Sequence, residues 1–157
     1  MKKISGINTL CLLILVGCSQ KTIEAPTAVK TSFEKLFPTA TDVKWSKESD
    51  TEFEAEFKVG DVQKSSNFDS TGKWLVTETE IKTSDLPASV HSAINNEFSG
   101  YSIEEAEAVE TAEAGMFFEV ALEKGESSLE VQISADGQVL KKEEKEEAES
   151  DEEEGKK

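Results

Sequence analysis

The chain has 157 residues, 33 of them acidic and 17 basic, for a formal net charge of -16 at pH 7. Every basic residue is a lysine, there is one histidine, and the two cysteines are Cys11 and Cys18. This balance excludes a nucleic-acid surface, which needs clustered Lys and Arg, and leaves almost nothing for a catalytic triad or a Cys/His zinc site, so the expectation is a protein without enzyme activity, cofactor or metal.

Residues 1–17 read as a targeting segment: Lys2 and Lys3 open it and Leu10 to Val16 form an apolar run. That run is too short for a bilayer, which takes about 20 apolar residues. It closes on Leu15-Val16-Gly17-Cys18, which resembles the lipobox of bacterial lipoprotein precursors. The resemblance implies cleavage before Cys18 and lipidation of its thiol. The implied location is the bacterial cell envelope, lipid-anchored at the outer membrane and facing the periplasm. The mature chain then has no second thiol and no disulfide, so its core alone must stabilise it. Residues 18–25 form a short tether.

Past the tether, landmarks recur. Phe53, Ala55 and Phe57 match Phe118, Val120 and Leu122, and Gly72 matches Gly137; before them, Pro26, Val29, Phe33 and Phe37 match Pro87, Val90, Ile94 and Phe98. Such self-similarity predicts two copies of one unit, 26–84 and 85–140, within a single domain over 26–140. Each copy opens on a helix. Val29, Phe33, Leu36 and Phe37 make one apolar stripe ended by Pro38, and Val90, Ala93, Ile94 and Phe98 make the other, with Ser84 or Asp85 as cap and Pro87 in the first turn.

Strands follow each helix. Asp42 to Lys47 is a short edge strand, and Glu52 to Val59 alternates apolar and charged residues as a half-buried antiparallel strand does. Gly60-Asp61 turns the chain into Val62 to Phe68; Asp69-Ser70-Thr71-Gly72 turns it again into Trp74 to Ile81. In the second copy, 103–114 has helical composition but occupies the position of the first copy's edge strand, so strand or irregular structure is expected. Met116 to Glu123, Leu129 to Ile133 and Val139-Leu140 complete it. Residues 141–157 carry no large apolar side chain and read as an acidic disordered tail. The expected fold class is α+β: a tandem repeat of helix then antiparallel strands, two-layer, helix on sheet.

The stretch Phe68-Asp69-Ser70-Thr71-Gly72-Lys73-Trp74-Leu75, followed by Leu86-Pro87-Ala88-Ser89-Val90, resembles the PepSY-like proteins, secreted or lipidated bacterial proteins similar to β-lactamase-inhibitor proteins. The likeness covers about 26–142. It implies a β-lactamase-inhibitor-like arrangement of helices on antiparallel sheet, and it carries no catalytic residues.

Candidate sites are few. His91 lies beside the second helix stripe without convergent partners, so a solvated position is expected. Glu52, Glu54 and Glu56 share a strand face but lack a calcium loop; Lys44, Lys47, Lys58, Lys64 and Lys82 stand near enough to neutralise them as cross-strand pairs. Trp74, Trp45 and Tyr101 are the candidate partner-binding residues, being of the amphipathic kind enriched at interfaces. Charge is uneven: 26–84 carries -3 and 85–140 carries -11. These observations lead to a membrane-anchored binding module, engaging a peptidase or another envelope protein through its sheet face or acidic second copy. The alternative is an acidic cation-buffering or solvating envelope protein with no specific partner. Neither a nucleic acid nor a small-molecule substrate is expected. Substituting Cys18→Ala should abolish incorporation of a radiolabelled fatty acid and slow signal removal; equal labelling of variant and wild type would remove the lipobox assignment.

Overall fold

The computed structural model describes residues 23–145, so the targeting segment, Cys18 and residues 146–157 lie outside the described residues. Helix α1 spans Thr27–Leu36, then strands β1 (Thr41–Ser49), β2 (Glu52–Val59), β3 (Val62–Asp69) and β4 (Trp74–Glu80) follow. After a 3-10 turn at Thr83–Asp85 come helix α2 (Ala88–Glu97) and strands β5 (Ser102–Thr111), β6 (Gly115–Lys124), β7 (Ser127–Ser134) and β8 (Val139–Lys145). The strands form one eight-stranded sheet in chain order, β1 to β8. Every neighbouring pair is antiparallel, including β4 against β5, which joins the two halves of the chain.

Both helices are amphipathic and short, ten residues each. In α1, Val29 and Phe33 are buried one turn apart, and Pro38 keeps the helix from continuing past the Phe37 cap. Leu36, expected on the same stripe, is instead 51% exposed, while Phe37 is half-buried. Helix α1 packs on Phe53, Ala55, Phe57 and Phe68 of β2 and β3. Phe33 meets Phe57 edge-on with ring centroids 4.9 Å apart, a favoured aromatic geometry. In α2 the expected stripe is buried throughout, and it packs on Val120, Leu122, Leu129, Val131 and Ile133 of β6 and β7. Pro87, not Ser84 or Asp85, occupies the N-cap of α2; the latter two fall in the preceding 3-10 turn, and no side chain caps the helix. The residue before a proline is pushed away from helical conformation, which sets Leu86 extended and starts α2 after Pro87.

The buried apolar side chains fall into two helix-centred clusters and a third, Val76, Val109 and Phe117, which contains no helical residue. This differs from the single shared core expected from sequence, since a ten-residue helix reaches only a few strands. Residues 102–111 are strand, so sheet pairing overrides their helical composition. Strand β8 corrects the tail boundary. It runs through Lys145, pairing Ser128 with Lys145 and Gln132 with Lys141, although 141 was expected to begin a disordered segment. An edge strand needs backbone partners more than apolar side chains, and charged residues are the usual protection of such an edge. Here Lys145 bridges to Glu130 at 3.5 Å and Lys141 to Glu143 at 2.9 Å.

Two glycines fix how the turns meet the helices. Gly72 has φ +87°, and a Cβ placed there would lie 2.6 Å from the Ala28 carbonyl oxygen of α1. Gly137 has φ +89°, and its Cβ would lie 2.7 Å from the Ser89 carbonyl oxygen of α2. The β3–β4 turn is further held by Asp69, whose Oδ1 accepts from Thr71 N, Thr71 Oγ1 and Lys73 N. Gly72→Ala should cost about 2–4 kcal/mol, combining left-handed strain with overpacking against fixed backbone. Gly60→Ala meets no atom within 4 Å, so it should cost only about 1 kcal/mol. Urea melts of both variants check this; equal losses would mean that the close approach to α1 contributes nothing.

Candidate functional site

Alternation along paired strands places the two helix clusters on one face of the sheet. The opposite face carries Glu54 and Glu56 of β2, Ser65 and Asn67 of β3, Glu78 and Glu80 of β4, Glu105 and Glu107 of β5, Glu119 of β6 and Glu130 of β7. Glu80 pairs with Glu107, Glu107 with Glu119, and Glu119 with Gln132, so three carboxylates stand directly opposite one another on adjacent strands. Like charges so placed are destabilising. Nevertheless Glu54, Glu78, Glu119 and Glu130 are all buried.

The groups respond by holding protons. Burial, reinforced by the charge of Glu107, pushes the Glu78 carboxyl up to about 8. Its Oε2 accepts from Ser65 Oγ at 3.0 Å, while Oε1 is buried without a hydrogen-bond partner. Glu107 is pushed up to about 7, chiefly by burial and then by Glu105, Glu130 and Glu80, with Lys145 opposing. Glu119 is raised as well, by burial and by its hydrogen bond with Glu130; Gln132 Nε2 donates to its Oε2 at 3.1 Å. Beside this row the small cluster of Val76, Val109 and Phe117 adds an apolar patch to the same face.

The residues singled out from sequence are placed elsewhere or shared differently. Trp45 and Trp74 are half-buried against the α1 cluster, on the helix-bearing face. Trp74 Nε1 donates to Thr77 Oγ1 at 2.8 Å, and the Trp45 ring lies 5.3 Å from that of Phe33. Tyr101 is half-buried against the α2 cluster, with its hydroxyl 3.1 Å from Ser127 Oγ and Lys124 Nζ 5.5 Å from its ring centroid. The three are therefore not gathered into one patch. His91 is half-buried on α2. On β2, Lys44 stands opposite Glu56 as the expected cross-strand pair, Asn67 Nδ2 donates to Glu52 at 3.1 Å and Ser46 Oγ to Glu54 at 3.1 Å. Lys47 bridges to Asp50 and Lys64 donates to Thr79. Among the described residues, no group of three or more His, Cys, Asp or Glu is disposed to hold a metal ion. Glu78, Glu107 and Glu119 were not singled out from sequence. For Glu107 and Glu119 the signal was the -11 of the second half, which a sheet with a single Lys124 between 85 and 140 cannot neutralise locally; Glu78, in the first half, gave no such signal.

The described residues thus form an eight-stranded antiparallel sheet with a helix opening each half and an acidic, helix-free face. Residues 51–141 match the family model described as "Putative beta-lactamase-inhibitor-like, PepSY-like", and the chain belongs to that family. Its fold is similar to that of a BLIP-like protein from Bacteroides fragilis, at 24% identity and TM-score 0.72, covering 82% of this chain and 92% of that one. A DUF2874 family protein from Bacteroides uniformis is similar at 20% identity and TM-score 0.72, covering 77% and 90%. A protein from Bacteroides eggerthii described as "putative periplasmic" is similar at 21% identity and TM-score 0.72, covering 78% and 90%. No curated protein matches the chain.

The raised carboxyls make stability depend on pH with a definite sign. A group held above its unfolded value near 4.5 binds more protons when folded, so its contribution is complete below that value and is lost as pH rises through about 7 for Glu107 and about 8 for Glu78. Asp69, held below its usual range by Thr71 and Lys73, acts oppositely and only at lower pH. Urea midpoints should therefore fall steadily from about pH 5 to about pH 9, and Glu78→Gln should flatten that decline. A midpoint that is constant or rises over this range would contradict the buried row.

Proposed function

We propose that the protein is a non-catalytic binding module of the bacterial cell envelope, tethered through lipidated Cys18, whose helix-free sheet face receives a basic segment of another envelope protein. A peptidase is one such partner. The observation that carries the reading is the row Glu80–Glu107–Glu119, with the unpartnered oxygen of buried Glu78 beside it. Among the described residues the one lysine bridging into this group is Lys145, at 3.5 Å from Glu130. Buried carboxyls that lack cationic partners cost stability, and a partner bringing ammonium or guanidinium groups would repay that cost on binding. The "putative periplasmic" description of the similar Bacteroides eggerthii protein supports an envelope location.

The scaffold for this face is, on the same reading, a tandem pair of helix-and-strand units in two layers. The equivalent close approaches of Gly72 to α1 and Gly137 to α2 support it. Docking of cations on the row should release protons, because it draws Glu78 and Glu107 back toward the ordinary carboxylate range.

Affinity capture from envelope extract should recover one identified protein with the wild type, and that protein should persist at about 0.15 M salt, where screening acts over about 8 Å. The double variant Glu107→Gln, Glu119→Gln should lose it. Contacts that fade with salt and ignore the double substitution would favour the alternative, an acidic cation-buffering or solvating protein without a specific partner.

A further inference from the structure

On the helix-bearing face, the seam between the α1 and α2 clusters holds a cleft of about 300 Å³. That lies at the lower end of the range for small-ligand sites. Its floor crosses three neighbouring strands, β3, β4 and β5, through Lys64, Thr79, Thr77 and Glu110. Its walls are apolar: Leu36 and Phe37 from the end of α1, Trp74 from β4 and Met116 from β6. Leu36 and Met116 are 51% and 60% exposed and both border this cleft.

The polar floor has an unmet requirement. Lys64 Nζ donates to Thr79 Oγ1 at 2.7 Å, and among the described residues Lys64 forms no ion pair. Burial lowers its pKa, and the charge of nearby Glu110 works the other way. An ammonium held partly out of water among apolar walls calls for an anionic oxygen. A simple anion would also face the Glu110 carboxylate. A ligand that presents an anion to Lys64 and a cation to Glu110 meets both groups at once. Register places Lys64 opposite Thr79, Thr79 opposite Ala108 and Thr77 opposite Glu110. The two charged residues are thus two strands and two residues apart, about 12 Å between Cα atoms, and both line the cleft.

We propose that this cleft binds a free α-amino acid with a large apolar side chain: its carboxylate on Lys64, its ammonium on Glu110, and its side chain between Leu36, Phe37, Trp74 and Met116. The site lies on the face opposite the Glu80–Glu107–Glu119 row, so it stands or falls apart from the partner proposed for that row.

Titration calorimetry with L-phenylalanine tests it, with N-acetyl-L-phenylalanine and L-phenylalanine amide as probes that each lack one charge. L-Phenylalanine should bind at or below millimolar concentration and shift the Trp74 indole N–H resonance. Each single-charge analogue, and each of the variants Lys64→Met and Glu110→Gln, should bind at least about tenfold more weakly, the scale of one charge-assisted hydrogen bond. Glu110 is exposed, so its variant should fold as the wild type does and keeps the test interpretable even if Lys64→Met is destabilised. No heat and no indole shift up to about 10 mM would overturn the proposal, as would equal binding of all three probes or full binding of the N-acetyl analogue.

Discussion

An eight-stranded sheet has two faces, and the described residues supply two ten-residue helices to cover them. Seven inter-strand spacings make a sheet about 34 Å wide, whereas two helices laid side by side cover about 20–24 Å and end to end about 30 Å. One face therefore cannot be wholly closed by helix, and the other receives none among the described residues. The separate clusters around α1 and α2, the seam between them and the carboxyl-rich opposite face follow from that shortage. The positions of the helices are in turn set by where the backbone allows close approach. Gly72 and Gly137 let the β3–β4 and β7–β8 turns touch the first turns of α1 and α2 at distances no side chain could tolerate.

The helix-free face then has to be finished with side chains alone. Its apolar part is small, Val76, Val109 and Phe117, and the rest is built from glutamates with serine, asparagine and glutamine as hydrogen-bond donors. Packing glutamates side by side shields each from water, and that shielding favours the protonated acid over the carboxylate. A face that looks strongly anionic in sequence is thereby partly neutral when folded, with Glu78 and Glu107 raised.

Much of the architecture was legible because its signals are local. The alternation in Glu52 to Val59 located β2, the Gly60-Asp61 and Asp69 to Gly72 turns separated β2, β3 and β4, and Pro38 ended α1. Gly72 and Gly137 were visible as matching landmarks, though not as close contacts. What sequence could not supply was register across strands. Whether Glu107 faces Glu80 depends on β4 pairing with β5 across the two halves of the chain, and whether it faces Glu119 on the register of β5 with β6; one residue of slip would turn each to the other face. Parity also decides where the aromatic residues point. Trp45 and Trp74 look like interface anchors by type, but their strand parity points them toward α1. On β2 the expected cross-strand pairing is met in register by Lys44 opposite Glu56, while Asn67 and Ser46 donate hydrogen bonds to Glu52 and Glu54.

Strand β8 shows the same logic at the edge. By composition 141–145 has no reason to order, having charged side chains and no apolar ones. By pairing it has one, because β7 would otherwise leave the backbone groups of a buried strand without partners. Covering β7 also brings Lys145 to Glu130, next to the carboxyl row, and its charge lowers the Glu107 carboxyl. The edge strand thus closes the sheet and adjusts the protonation of its open face together. Loosening β8 would remove the one described lysine that bridges into the row and push Glu107 further toward its protonated form. Order at this edge and charge on the candidate binding face are therefore coupled through one side chain.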